Sequence, residues 1–198
     1  LVLDGGDVEF VLPTDIAALL DAVGAETAIV GGLSLGGYMS LAFCRSHPER
    51  VRALLIIDTG PGFKKDEPRE AWNRRAHETA ERFDREGLAV LKSLSAERAS
   101  VTHRDAKGLA RAARGMLTQR DASGMEVLPE IKVPSLVVVG ADDTPFLAAS
   151  DYMAAKIPGA EKVVIPAAGH AANIDQPKAF NEAVLSFLDR LDGRQPQR

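Results

Sequence analysis

One cysteine, Cys44, stands alone in 198 residues, so neither an intrachain disulfide nor a cysteine zinc site can be built, and a reducing, cytoplasmic setting fits. Aromatic residues are scarce at 5%, which leaves few platforms for stacking bases. The net charge of -4 offers no basic field to a phosphate backbone, so both counts argue against a nucleic-acid partner. No apolar run approaches the roughly 18 residues of a membrane helix, and the acidic opening LVLDGGDVEF has neither the basic nor the apolar part of a signal peptide. A membrane partner is not expected. Nothing in the residue pattern calls for a metal or a cofactor.

What the chain does have is a globular composition, 45% hydrophobic and 26% charged, enough for a packed domain of ordinary size. Four apolar, β-branched runs read as buried strands: TAIVGG ending at Gly32, ALLIID ending at Asp58, PSLVVVG ending at Gly140 and EKVVIP ending at Pro166. Their lack of polar alternation predicts strands covered by helices on both faces, hence a parallel sheet in an α/β fold. Pro13 is expected to open a helix that Gly24 closes, and Asp175 to cap a final helix with Phe180, Val184, Phe187, Leu188 and Leu191 on one stripe.

About 75 residues without a strand signal separate the second and third strands, more than a plain crossover requires. Helices are expected there from Asp66 to Gly87 and from about Asp105 to Thr118. This insertion holds 14 of the 24 cationic and 12 of the 28 acidic residues, so it reads as a mildly basic helical cap over an acidic body. The expected organisation is a core part with the reactive turn over 1–58, a helical cap over 59–130, a second core part over 131–192 and a polar tail over 193–198.

The strand TAIVGG runs directly into GLSLGG, followed by the helical YMSLAFCRSH. This is G-x-S-x-G with a strand before it and a helix after, the context in which the motif carries chemistry. The glycines two residues either side of Ser34 are expected to avoid a collision with the crossing backbone. Ser34 would project above the sheet at the positive end of the next helix, with the Leu35 N–H placed to stabilise a developing oxyanion.

A serine hydroxyl is a poor nucleophile without a base, and the base needs an orienting carboxylate. Of the four histidines, His47 lies at a helix end before Pro48, and His77 and His103 lie in the charged insertion. His170 instead follows the fourth strand in the loop PAAGHAANIDQP, on the sheet edge where parallel folds present reactive groups. Three acids leave strands at that same edge: Asp58, Asp142 and Asp143. Asp143 is favoured as the deeper residue of the loop GADDTPF, with Asp142 left to backbone or solvent and Asp58 organising its own turn. Phe63, Trp72 and Phe146 flank the cap or acid loop and are candidates to line an apolar substrate cleft.

The order serine, aspartate, histidine on successive strand ends resembles the α/β-hydrolase family. The resemblance rests on VGGLSLGGYMSLAFCRSHPERVRALLIIDT, IKVPSLVVVGADDTPF and IPAAGHAANIDQPKAFNEAVLSFL. It implies Ser34 as nucleophile, Asp143 as acid and His170 as base in a serine hydrolase of small carboxylic esters or lactones. EAWNRR and EGLAVL resemble the 3-oxoadipate enol-lactonase and esterase branch. An aspartate elbow, which would resemble dehalogenases and epoxide hydrolases, is absent.

The chain also departs from that pattern. Members of the family have an eight-stranded sheet and an H-G loop supplying a second oxyanion donor, whereas only about 26 residues precede the elbow strand here and no H-G precedes Ser34. The chain opens on Leu1 without a methionine. On these grounds it reads as the C-terminal part of an α/β-hydrolase fold, with LVLD a remnant of a preceding strand and the exposed elbow strand open to self-association. Two other functions fit the same residues: a catalytically weak relic acting as an interaction protein, and a carbon-carbon bond hydrolase or cofactor-free peroxidase on the same scaffold.

Overall fold

The computed structural model describes residues 8–93 and 102–193, with side chains from Pro13 onward. The LVLD segment and nearly all of the polar tail lie outside the described residues. Two compact units emerge: residues 13–61 with 123–193, and residues 62–122 with 8–12.

The first unit is an α/β layer structure. β1 (Ala28–Leu33), β2 (Val51–Ile57), β3 (Ser135–Gly140) and β4 (Glu161–Ile165) form one parallel sheet in that spatial order. Around it lie α1 (Val8–Ala22) from Pro13 onward and α2 (Leu35–Ser46), with α5 (Thr144–Lys156) and α6 (Pro177–Leu191) following the insertion. Strand side chains alternate between the faces, as a two-residue period requires. Leu54 and Ile56 of β2 and Val137 of β3 join Leu41 and Phe43 of α2 and Met153 of α5 in one core. Ala53, Leu136 and Val138 face the other way, where Phe187 is buried and Phe180, Val184, Leu188 and Leu191 of α6 pack beside it. The stripe expected of the last helix is therefore the face that docks on the sheet.

Only β3 is buried along its whole length. β4 is mostly exposed, with Val164 at 40%, so the expectation that all four strands are covered on both faces is corrected. Hydrophobic runs in the outer strands reflect one covered face and one partial one. Among the described residues β1 and β4 each pair with a single neighbour.

Two helix boundaries also differ from expectation. Pro13 lies inside α1, which already begins at Val8; its missing N–H leaves the Glu9 carbonyl without its ladder bond. Asp175 does not cap α6. It ends a short helical turn, Ala172–Asp175, and its carboxylate accepts the Gly169 N–H at 2.8 Å instead.

The second unit contains α3 (Asp66–Glu86), a 3-10 segment Gly87–Ser93 and α4 (Ala106–Met116). Gly87 at φ 63° ends α3, in the left-handed conformation that suits a helix stop. Small residues let the helices approach: Ala80, Ala110 and Ala113 share a core with Phe83, Val90 and Leu91. The Trp72 Nε1–H donates to the Leu117 carbonyl at 2.6 Å. Asn73 donates to the Gln119 carbonyl and accepts its N–H, both at 2.8 Å. No helix among the described residues is long and apolar enough to cross a membrane.

Candidate active site

The carboxyl ends of the four strands deliver Ser34, Asp58, Asp143 and His170 to one edge of the sheet. Ser34 follows β1 at φ 55° and ψ -117° and stands at the start of α2. Its N–H donates to the Ile57 carbonyl at 2.9 Å, and its own carbonyl accepts the N–H groups of Gly37 and Tyr38 at 3.0 and 3.1 Å. These bonds hold a left-handed serine in a turn too tight for a relaxed one. A Cβ on Gly32 would come within 2.7 Å of the Gly36 backbone. At Gly36 itself a Cβ meets nothing within 4 Å, whereas at Gly37 it would lie 2.7 Å from Thr59 Cγ2 and 2.9 Å from the Gly32 carbonyl. The steric requirement expected at Gly36 therefore falls one residue later, where α2 crosses the ends of β1 and β2.

His170 bridges the serine and an acid. Its Nε2 lies 2.9 Å from Ser34 Oγ and its Nδ1 lies 2.9 Å from Asp143 Oδ2. A carboxylate at Nδ1 accepts, so the ring proton sits there and the Nε2 lone pair is left to accept the serine hydroxyl. Asp143 is 5% exposed and stands just before α5 without a side-chain cap bond. Asp142 is exposed, and its N–H is spent on the Ala168 carbonyl at 2.9 Å. Leu35 is the first residue of α2, so its N–H is one of the helix-start donors with no partner inside the helix.

The three aromatic candidates are placed differently. Phe146 stacks on the His170 ring, with centroids 5.1 Å apart and planes 26° apart. Phe63 and Trp72 belong to the helical unit and contact each other at 5.9 Å; there the Trp72 indole ties α3 to the chain after α4. His47 ends α2 and lies 5.2 Å from the Phe43 ring, His77 is exposed and His103 is half-buried.

Asp58 goes well beyond organising its own turn. It is fully buried at φ 44°; Oδ1 accepts the Gly140 N–H at 2.7 Å and Oδ2 the Ala172 N–H at 3.2 Å. Burial pushes its carboxyl above the usual carboxylate range. The two backbone N–H donors pull the other way, the Asp143 charge adds to the rise and His170 opposes it. The sequence signal for this role was an acid placed directly after a buried strand, which also fits a simple turn. Cys44 is buried in the core, and burial raises its thiol, as expected of an inert packing residue. Among the described residues no group of three or more His, Cys, Asp or Glu is arranged to hold a metal.

A parallel sheet wrapped by helices, a strained serine between strand and helix, and an imidazole shared with a carboxylate define the α/β hydrolases. Residues 4–183 match the alpha/beta hydrolase family; the chain belongs to it and is an α/β-hydrolase enzyme. It is similar to the 2-succinyl-6-hydroxy-2,4-cyclohexadiene-1-carboxylate synthase of Serratia proteamaculans, 30% identical over 89% of this chain and 74% of the relative. It is also similar to 3-oxoadipate enol-lactonase 2 of Acinetobacter baylyi, 26% identical over 91% of this chain and 71% of the relative. Among solved structures, a thermophilic esterase from Thermogutta terrifontis is 29% identical, with a TM-score of 0.77 over 90% of this chain and 71% of that one.

Proposed function

We propose that this chain is a serine hydrolase of carboxylic esters or lactones, with Ser34 as nucleophile, His170 as general base and Asp143 as the acid that orients the ring. The observation that carries the reading is the pair of 2.9 Å contacts running from Ser34 through His170 to Asp143. Support for the substrate class comes from the enol-lactonase and esterase among the similar proteins.

In this mechanism His170 Nε2 takes the hydroxyl proton as Ser34 Oγ attacks the carbonyl carbon. The carbonyl oxygen becomes an oxyanion facing the Leu35 N–H, aided by the positive end of α2. The imidazolium then gives its proton to the leaving oxygen, and the ester bond breaks to leave an acyl group on Ser34. Water, deprotonated by the same ring, releases the acid and restores the serine. Asp143 holds the Nδ1 proton throughout and stabilises the ring while it is charged. Phe146 stacks over one face of the imidazole.

The reading is tested with a fluorophosphonate probe and 4-nitrophenyl acetate. The wild-type chain is expected to label at Ser34 and to turn the ester over, and Ser34→Ala to do neither, with at least about a thousandfold loss of turnover. Because Ser34 does not fill the core, the thermal melt of the variant should stay close to wild type. Ester turnover retained by Ser34→Ala removes the serine from the mechanism.

A further inference from the structure

We propose that Asp58 is a positioning residue for His170: its buried carboxylate clasps the two loops that hold the imidazole and its acid partner. This rests on the reading of Ser34 and His170 given above.

The clasp is made of main-chain bonds. Gly140, whose N–H meets Oδ1, begins the loop that carries Asp143 three residues later. Ala172, whose N–H meets Oδ2, lies two residues after His170. One side chain at the end of β2 therefore spans the loops from β3 and β4. Those loops are already in close contact. A Cβ on Gly140 would come within 2.2 Å of the Gly169 carbonyl oxygen and 2.3 Å of that of Ala168, and the Asp142 N–H donates to the same Ala168 oxygen. The clasp thus fixes one spacing between the acid and the ring.

A charged side chain here needs a reason, because burying a carboxylate is expensive. Two converging N–H donors supply part of it: a carboxylate has an acceptor for each, whereas an asparagine would turn its own NH2 toward one of them. The Asp58 charge also interacts with those of Asp143 and His170. Asp175 accepts the N–H of Gly169, the neighbour of His170, within the ring's own loop. Asp143 makes the direct bond to the ring, and Asp58 acts on it through the loops it joins.

The decisive comparison is Asp58→Asn against wild type, since asparagine tolerates the left-handed backbone at this position. The His170 Nδ1–H proton resonance, which reports the hydrogen bond to Asp143, is followed by NMR, and kcat and KM for 4-nitrophenyl acetate are measured. We expect that resonance to shift or broaden in Asp58→Asn as the spacing between acid and ring loosens. kcat should fall about ten- to hundredfold while KM changes little. A folded variant with an unmoved Nδ1–H resonance overturns the inference, even if kcat falls. An unchanged kcat overturns it as well. Where Asp58→Asn does not fold, Asp58→Ser is read by the same criteria. The NMR signal needs no turnover, so a wild-type chain that fails to label at Ser34 sinks the hydrolase reading separately.

Discussion

A serine at φ 55° and ψ -117° occupies backbone space that costs on the order of 1–3 kcal/mol, and Ser34 stays there because both of its main-chain groups are bonded into neighbouring elements. Asp58 at φ 44° and Ala167 at φ 52° are also left-handed, so three of the four strand ends turn out of the sheet through a conformation that side chains rarely adopt. These turns swing the chain sharply upward, which is how residues from separate strands converge within hydrogen-bond reach. The acids at this edge are then separable by experiment. Asp143→Asn is expected to lower ester turnover about ten-thousandfold, since an amide can present the wrong hydrogen-bonding group to Nδ1. Asp142→Asn, exposed and bonded only through its backbone in the contacts described, should stay within a few-fold of wild type. If Asp142→Asn is the inactive variant, the acid has been assigned to the wrong residue.

At the level of elements, the strand-to-helix turn between β1 and α2 separates two adjacent glycines that look equivalent in GLSLGG. A Cβ at Gly37 would sit 2.9 Å from the Gly32 carbonyl oxygen and 2.7 Å from Thr59 Cγ2, whereas one at Gly36 meets open space. Gly37→Ala is accordingly expected to destabilise the fold by about 1–3 kcal/mol, as overpacking does. Gly36→Ala should be neutral or stabilising by up to about 1 kcal/mol, because alanine is the better helix residue. Urea denaturation midpoints of the two variants decide the matter, and equal midpoints would refute the placement of the close contact. In the helical unit the division of labour is plainer. Trp72 spends its indole N–H on the Leu117 carbonyl, and Asn73 makes a reciprocal pair with Gln119, so α3 is tied to the chain after α4 by directed bonds as well as apolar contact.

For the molecule as a whole, Asp58 couples stability to pH. Its folded-state carboxyl lies above the ordinary carboxylate range. Between those two values the folded chain keeps a proton that the unfolded chain has released. Stability therefore rises as pH falls through that window, and above it the cost of the buried charge is present in full. Asp58→Asn has no such group. The unfolding free energy of wild type minus that of Asp58→Asn should become more positive as pH is lowered from neutrality toward the ordinary carboxylate range, as read from urea denaturation at several pH values. A flat difference would show that the Asp58 carboxyl is not perturbed by folding.

Much of this molecule is determined by local sequence. Four β-branched runs mark the four strands of a parallel sheet, although only β3 is buried along its whole length, and a serine framed by glycines between a strand and a helix leaves little conformational choice. The stripe Phe180, Val184, Phe187, Leu188 and Leu191 likewise dictated which face of α6 meets the sheet. Helix starts were less legible: Pro13 reads as an opening signal, yet α1 begins a turn and a half earlier and runs through it. Asp175 reads as a cap because it precedes Pro177, and it turned instead to the Gly169 N–H. The sequence favours Asp143 among three acids that leave strands at one edge, Asp58, Asp142 and Asp143, and its carboxylate is the one that meets the imidazole; what the other two bond was not legible. Which carboxylate reaches the imidazole and which reaches two backbone N–H groups depends on the registers of β2, β3 and β4 and on the contact of Gly140 with the carbonyls of Ala168 and Gly169. Those are relations between residues up to 114 positions apart, and no local pattern encodes them.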